Sequence, residues 1–171
     1  MATNLEFIKN VKGLDNITAL DIDNVFSDKY DVYFVTHLTG QSSVGYIDMS
    51  LLDSAGNQVT TATYDKAHLS MPANQSFGEY KLVNNDRWAR VNYTYQNAIG
   101  GTTSYYIFNP YDSSSYTFFT AQSSFMDVNG TYMEGYKTIS VLKSAEQCNG
   151  IQINAGVGQF DTITVNIYGV K

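Results

Sequence analysis

Gly150-Ile-Gln-Ile-Asn-Ala-Gly-Val-Gly-Gln-Phe-Asp-Thr-Ile-Thr-Val-Asn-Ile-Tyr-Gly-Val-Lys171 holds two runs of alternating residues around a glycine-rich bend. Ile151 and Ile153 point one way. Phe160, Ile163, Val165 and Ile167 take up the pattern, with Thr162, Thr164, Asn166 and Tyr168 opposite. Period-two alternation built on β-branched residues is the signature of a half-buried strand. The bend at 154–158 carries two glycines, which reach the positive φ angles that a tight reversal uses. The last run predicts a central strand of a β-sandwich.

The rest of the chain reads the same way. Residues 5–8 are a short apolar start, and 16–23 alternate as a strand whose inward face is ambiguous. A strand is expected over 25–38, with Tyr30, Val32, Phe34 and Thr36 on one face. Another covers 45–52 and closes on Asp53-Ser-Ala-Gly-Asn57, a hairpin signal, with 58–64 returning. Residues 65–71 fit a short strand or a turn of helix. Segments 77–83 and 88–96 form an expected pair around Asn84-Asn-Asp86. Gly100-Gly101 breaks the chain before a strand at 103–108. Asn109-Pro-Tyr-Asp-Ser-Ser-Ser115 is a loop, since proline fixes its own φ and bars the preceding residue from helix. Strands at 116–119, 124–128 and 132–141 follow, the last two joined by Asn129-Gly130, a hairpin dipeptide. Short strands with frequent turns indicate an all-β, antiparallel sandwich of jelly-roll type, one domain over 1–171.

Composition narrows the function classes. Charged residues make up 15% of the 171, below the roughly 25% of ordinary domains. Fourteen tyrosines and nine phenylalanines take their place, and both suit pleated surfaces and subunit interfaces. The net charge is −6 and the ten basic residues are scattered, so nucleic acid is not an expected partner. The one cysteine, Cys148, leaves no intrachain disulfide framework. The N-terminal residues lack the cationic and apolar regions of a signal peptide, and no apolar run reaches spanning length, so no membrane partner is expected.

Several short motifs carry a resemblance. Phe26-Ser-Asp-Lys-Tyr-Asp-Val-Tyr33, Leu51-Leu-Asp-Ser-Ala-Gly56, the closing Phe160-Asp-Thr-Ile-Thr-Val-Asn-Ile-Tyr-Gly-Val170 and the opening Ala2-Thr-Asn-Leu-Glu-Phe-Ile-Lys9 are similar to segments of the jelly-roll-like structural proteins of tailed bacteriophages. The resemblance spans the chain and rests on strand and turn residues, so it carries over no catalytic residue. It implies a virion component made in the host cytoplasm: a capsid decoration (cement) protein, a head fibre or a tail appendage. It also implies a homotrimer bound to other virion proteins such as the major capsid protein or tail subunits. A tail-fibre or receptor-binding module that recognises host surface glycans is the alternative.

Candidate chemistry is sparse. His37 and His68 are the only histidines and read as surface residues, too few for a zinc site. Asp21, Asp23, Asp28 and Asp31 could gather oxygens for calcium, but their spacing is not that of an EF-hand and reads as a solvated turn. Cys148 has no base close in sequence, which favours a structural thiol, and no Gly-x-Ser-x-Gly elbow occurs. No enzyme, metal or cofactor is expected. Trp88, between Arg87 and Arg90, could stack on a sugar, although a lone tryptophan in a sandwich is more often a core anchor. Trp88, Tyr105, Tyr106 and Tyr111 are therefore the expected interface or ligand contacts.

Overall fold

The computed structural model describes residues 4–40, 45–94, 100–127 and 129–171. Among them every regular element is a strand: β1 (Leu5–Ile17), β2 (Ala19–Ile22), β3 (Val32–Thr39), β4 (Gly45–Asp53), β5 (Tyr64–Ser70), β6 (Gly78–Asn85), β7 (Trp88–Thr94), β8 (Gly101–Phe108), β9 (Thr117–Met126), β10 (Met133–Leu142), β11 (Cys148–Ala155) and β12 (Phe160–Val170). The expected strand ends at 95–96 and 128, and Ala2 and Thr3 of the opening motif, lie outside the described residues.

Two antiparallel sheets result. The larger runs β1-β12-β3-β8-β9-β10-β5-β6 and the smaller β2-β11-β4-β7. Setting aside β5, β6, β9 and β10 leaves two four-stranded halves, β1-β12-β3-β8 and β2-β11-β4-β7. First strand beside last in one half, and second beside next-to-last in the other, is the double Greek key of a jelly roll. Strands β9, β10, β5 and β6 extend the larger half beyond β8, so eight strands face four.

One core fills the space between the sheets. Tyr33, Val35, Tyr105, Ile107 and Phe119 come from the larger sheet; Ile22, Ile47, Met49, Leu51, Ile151 and Ile153 come from the smaller. The alternation read in the last stretch is real: Phe160, Ile163, Val165 and Ile167 are fully buried. As expected, β12 lies between neighbours, pairing β1 on one side and β3 on the other. The glycine-rich bend before it does not make a hairpin, because β11 belongs to the smaller sheet and the chain changes layers there.

Other expectations are corrected. β1 is one long strand because it pairs with β12 from Leu5 to Ile17; polar Lys9, Asn10 and Lys12 mask its alternation, and a register shift between Phe7 and Lys9 inverts the rest. Residues 25–31 precede β3 as a loop. Beyond a single bridge from Gln58 to Leu52, 58–63 form no strand, and the chain there crosses from β4 to the other sheet. Residues 117–126 are one strand, and the hairpin after it is held by the Asp127 carboxylate, which accepts the Asn129 and Tyr132 amides at 3.2 and 2.9 Å. β6 and β7 do not pair. Asn84 takes a left-handed φ of 54°, its amide donates to Asp65 Oδ1 at 2.9 Å, and the chain passes to the smaller sheet.

The two quoted end motifs meet. Gly169 lies under the ring of Tyr30, and a Cβ on Gly169 would sit 2.5 Å from two ring carbons. Tyr30 packs edge-on to Tyr33, whose hydroxyl donates to the Ser27 carbonyl at 3.0 Å and accepts the Ser27 amide at 2.7 Å. A bare backbone is thus covered by an aromatic face from the other end of the chain. Gly169→Ala must displace that ring, and overpacking of this kind costs about 1–3 kcal/mol. A denaturant midpoint for Gly169→Ala equal to the parent's would contradict this packing.

Candidate interaction surface

Residues directly opposite across antiparallel strands share a face, so register alone assembles the outer face of the larger sheet. One row runs Phe7, Tyr168, Phe34, Tyr106, Thr120, Ile139, Ala67 and Lys81, a residue from each of the eight strands. The row beside it runs Leu5, Val170, Val32, Phe108, Phe118, Val141 and Asp65. Twelve of these fifteen residues are apolar or aromatic. The next row, Asn10, Asn166, Thr36, Ser104, Gln122, Lys137, Leu69 and Glu79, is mostly polar. The outer face therefore carries an apolar stripe with a polar border.

The stripe is open to solvent. Phe7 is 58% exposed, Phe118 48%, Tyr106 43% and Ile139 62%. Its rings touch in sequence: Phe7 to Tyr168 at 5.7 Å, Tyr168 to Phe34 at 6.2 Å, Phe34 to Tyr106 at 5.0 Å. These contacts hold the side chains in place. At its far end Phe118, Ile139, Val141, Ala67 and Val83 line a shallow hollow of about 410 Å³. Contiguous exposed apolar surface rimmed by polar groups marks an interaction site in a protein.

The four residues singled out from sequence part company. Trp88 is fully buried, stacked on Phe119 at 4.7 Å and edge-on to Tyr64, so it reaches no partner; it is a core anchor. Tyr105 faces inward, 1% exposed, its hydroxyl 3.0 Å from His37 Nδ1. Its neighbour Tyr106 points the other way, onto the stripe, because successive strand residues alternate. Tyr111 is partly buried against the core. Sequence reading missed Phe7, Phe34, Phe118 and Ile139, whose common face becomes visible only when the strand order is known.

Both histidines are buried, not superficial. His37 lies between Tyr105 Oη and Asn92 Nδ2, the latter 3.3 Å from Nε2, and burial pushes its pKa down to about 3. His68 is stacked between Tyr80 and Tyr136, and burial together with the Lys66 and Arg90 charges also pushes it to about 3. Cys148 is buried, which raises its thiol to about 12 and keeps it protonated. Asp21 accepts from Gln152 Nε2 at 2.6 Å, and Asp23 is 3.5 Å from Lys9 Nζ. Among the described residues, no three His, Cys, Asp or Glu side chains converge.

No family model matches the chain, and no curated protein matches it. Solved structures similar to it include the tail fibre protein gp63.1 from an E. coli phage, at 8% identity and a TM-score of 0.40, over 99% of this chain. The chain spans only 21% of that one's length. Lactose- and MES-liganded congerin II is similar at 14% identity and a TM-score of 0.36, over 86% of this chain and 98% of the other. A Bacillus endospore appendage pilus protein follows at 8% identity and a TM-score of 0.27, over 100% and 96%.

The buried histidines give the fold an acid sensitivity of definite sign. With a native pKa near 3 against an ordinary 6.5, His37 takes up its proton more readily in the unfolded chain between those values. Its contribution is whole above about pH 6.5 and is lost as pH falls toward 3. Urea midpoints measured at pH 7 and pH 4.5 should drop for the parent and drop less for His37→Gln. Equal drops would show that His37 is not the neutral, buried group described.

Proposed function

We propose that the chain is a non-enzymatic structural subunit of a phage particle, most specifically a capsid decoration protein. It seats the apolar stripe of its larger sheet against neighbouring subunits. The observation that carries this reading is the stripe itself: two adjacent rows, drawn from every strand of an eight-stranded sheet, that remain uncovered in the single chain. The phage resemblance of the end motifs supports the setting, and the jelly-roll topology is compatible with it.

The physics of the stripe fits permanent association. Covering apolar surface contributes roughly 25 cal/mol per Å², and interface cores are rich in Tyr and Phe and poor in charge. Rings already packed on one another lose little freedom on docking, so less of that gain is cancelled by ordering. Repetition over many copies on one particle multiplies modest single-site affinities. A homotrimer, the state that the resemblance implies, would present three stripes at once. The glycan-binding alternative loses Trp88 as its stacking platform, because that ring lies in the core.

Electron microscopy of particles assembled with the parent or with Phe118→Thr/Ile139→Thr tests the proposal. Both side chains are surface-exposed, so each change should alter the free chain's stability by no more than about 0.5 kcal/mol. Density for the parent and its loss with the double variant is the expected result. Absence of the parent from shell and tail, or full occupancy by the variant, would overturn the proposal.

A further inference from the structure

The margin of the larger sheet wraps around β7, the edge strand of the smaller one, and Arg90 sits at the seam. Its guanidinium carbon lies 4.0 Å from the Tyr46 ring centre and 4.4 Å from that of Tyr80. Both rings are backed in turn: Tyr46 edge-on against Tyr93 at 4.5 Å, Tyr80 on His68 at 5.1 Å, and His68 on Tyr136 at 4.3 Å. A planar cation packed against two aromatic rings is restrained in its orientation.

The backbone beneath is equally constrained. Arg90 has a φ of +56°, a left-handed conformation unusual for a residue with a side chain, beside an irregularity in the β4–β7 pairing. Asp48 Oδ1 accepts the Arg90 amide at 2.7 Å. The buried Lys66 ammonium donates to the Arg90 carbonyl at 2.5 Å and to the Ala89 carbonyl. Strained conformations that their surroundings over-determine cluster at functional sites.

Asp48 already holds the Arg90 amide and lies in the field of the Arg87, Lys66 and Arg90 charges. Asp48 Oδ2 faces Arg87 Nη1 at 3.9 Å, and Asp86 holds Arg87 through two bonds of 3.0 and 2.8 Å. The Arg90 guanidinium makes no hydrogen bond or ion pair among the described residues. We propose that Arg90 is a binding site for a carboxylate presented by an aspartate or glutamate side chain of a partner protein. The planar guanidinium fork matches the two oxygens of a carboxylate in a two-pronged contact. Sugars need an open aromatic face, and the faces of Tyr46 and Tyr80 are taken by Arg90, Tyr93 and His68. The site is separate from the apolar stripe, since Tyr80 points to the side of β6 opposite Lys81, so either can fail without the other.

Nitrogen-15 spectra of the whole protein test it through the Arg90 Nε–H resonance, assigned by its disappearance in Arg90→Lys. Titration with acetyl-Gly-Glu-Gly-amide should shift this resonance progressively, and the glutamine counterpart should leave it in place. Arg90→Lys should weaken binding of the glutamate peptide about tenfold, since an ammonium cannot make the two-pronged contact. An unmoved resonance, equal shifts with both peptides, or a response to methyl glucuronide alone would overturn the site; the parent titration decides this even if the variant folds poorly.

Discussion

A sheet of eight strands cannot lie flat on one of four and keep its inner face dry. Strands stand about 4.8 Å apart, so the extra four would overhang by roughly 19 Å. The larger sheet responds by curling until β8, β9, β10 and β5 all pack on β7. Two kinds of contact close the seam. Lys66 reaches from β5 to the β7 carbonyls, and a run of rings and one cation links Tyr93, Tyr46, Arg90, Tyr80, His68, Tyr136 and Phe125. Phe125 lies 6.0 Å from Tyr93, which brings the run back to its start. Much of the unusual chemistry of the chain follows from that closure: a lysine lowered toward pKa 7 by burial, a raised Asp48 and a left-handed arginine.

The same curl shapes the other side. Aromatic side chains on the inner face are consumed in the core and the seam, while those on the outer face have nothing to cover them within the chain. Tyr105 and Tyr106 show the division in two consecutive residues, one hydrogen-bonded to His37, the other open on the stripe. The tyrosines therefore divide between two settings, the core and seam on one side of the sheet and the open stripe on the other.

Sequence reading recovered what depends on alternation and missed what depends on strand order. The buried faces of β11 from Ile151 and of β12 from Ile163 were legible because each residue's side follows from its parity, whereas Phe160 is buried off that alternation. Strand β1 lies beside β12, and the ring of Tyr30 over Gly169 brings the 26–33 motif against the closing one. Turn chemistry misled at Asn84. A residue that tolerates positive φ signals a reversal, but the same conformation serves a hairpin and a crossing between layers. His37 sits two residues from Val35 on an inward face, yet its polarity read as exposure. Arg90 offered no signal at all, since an arginine in a strand reads as solvated until Tyr46 and Tyr80, 44 and ten positions away, are seen on either side of it.

Hydroxyl-radical footprinting of the free chain and of assembled particles, read by mass spectrometry, tests the association face most directly. Phe7, Tyr106 and Phe118 should be modified in the free chain and protected in particles, with exposed Val157 serving as a reference away from the two rows. Equal modification of the stripe in both states, or protection confined to another face, would contradict the account.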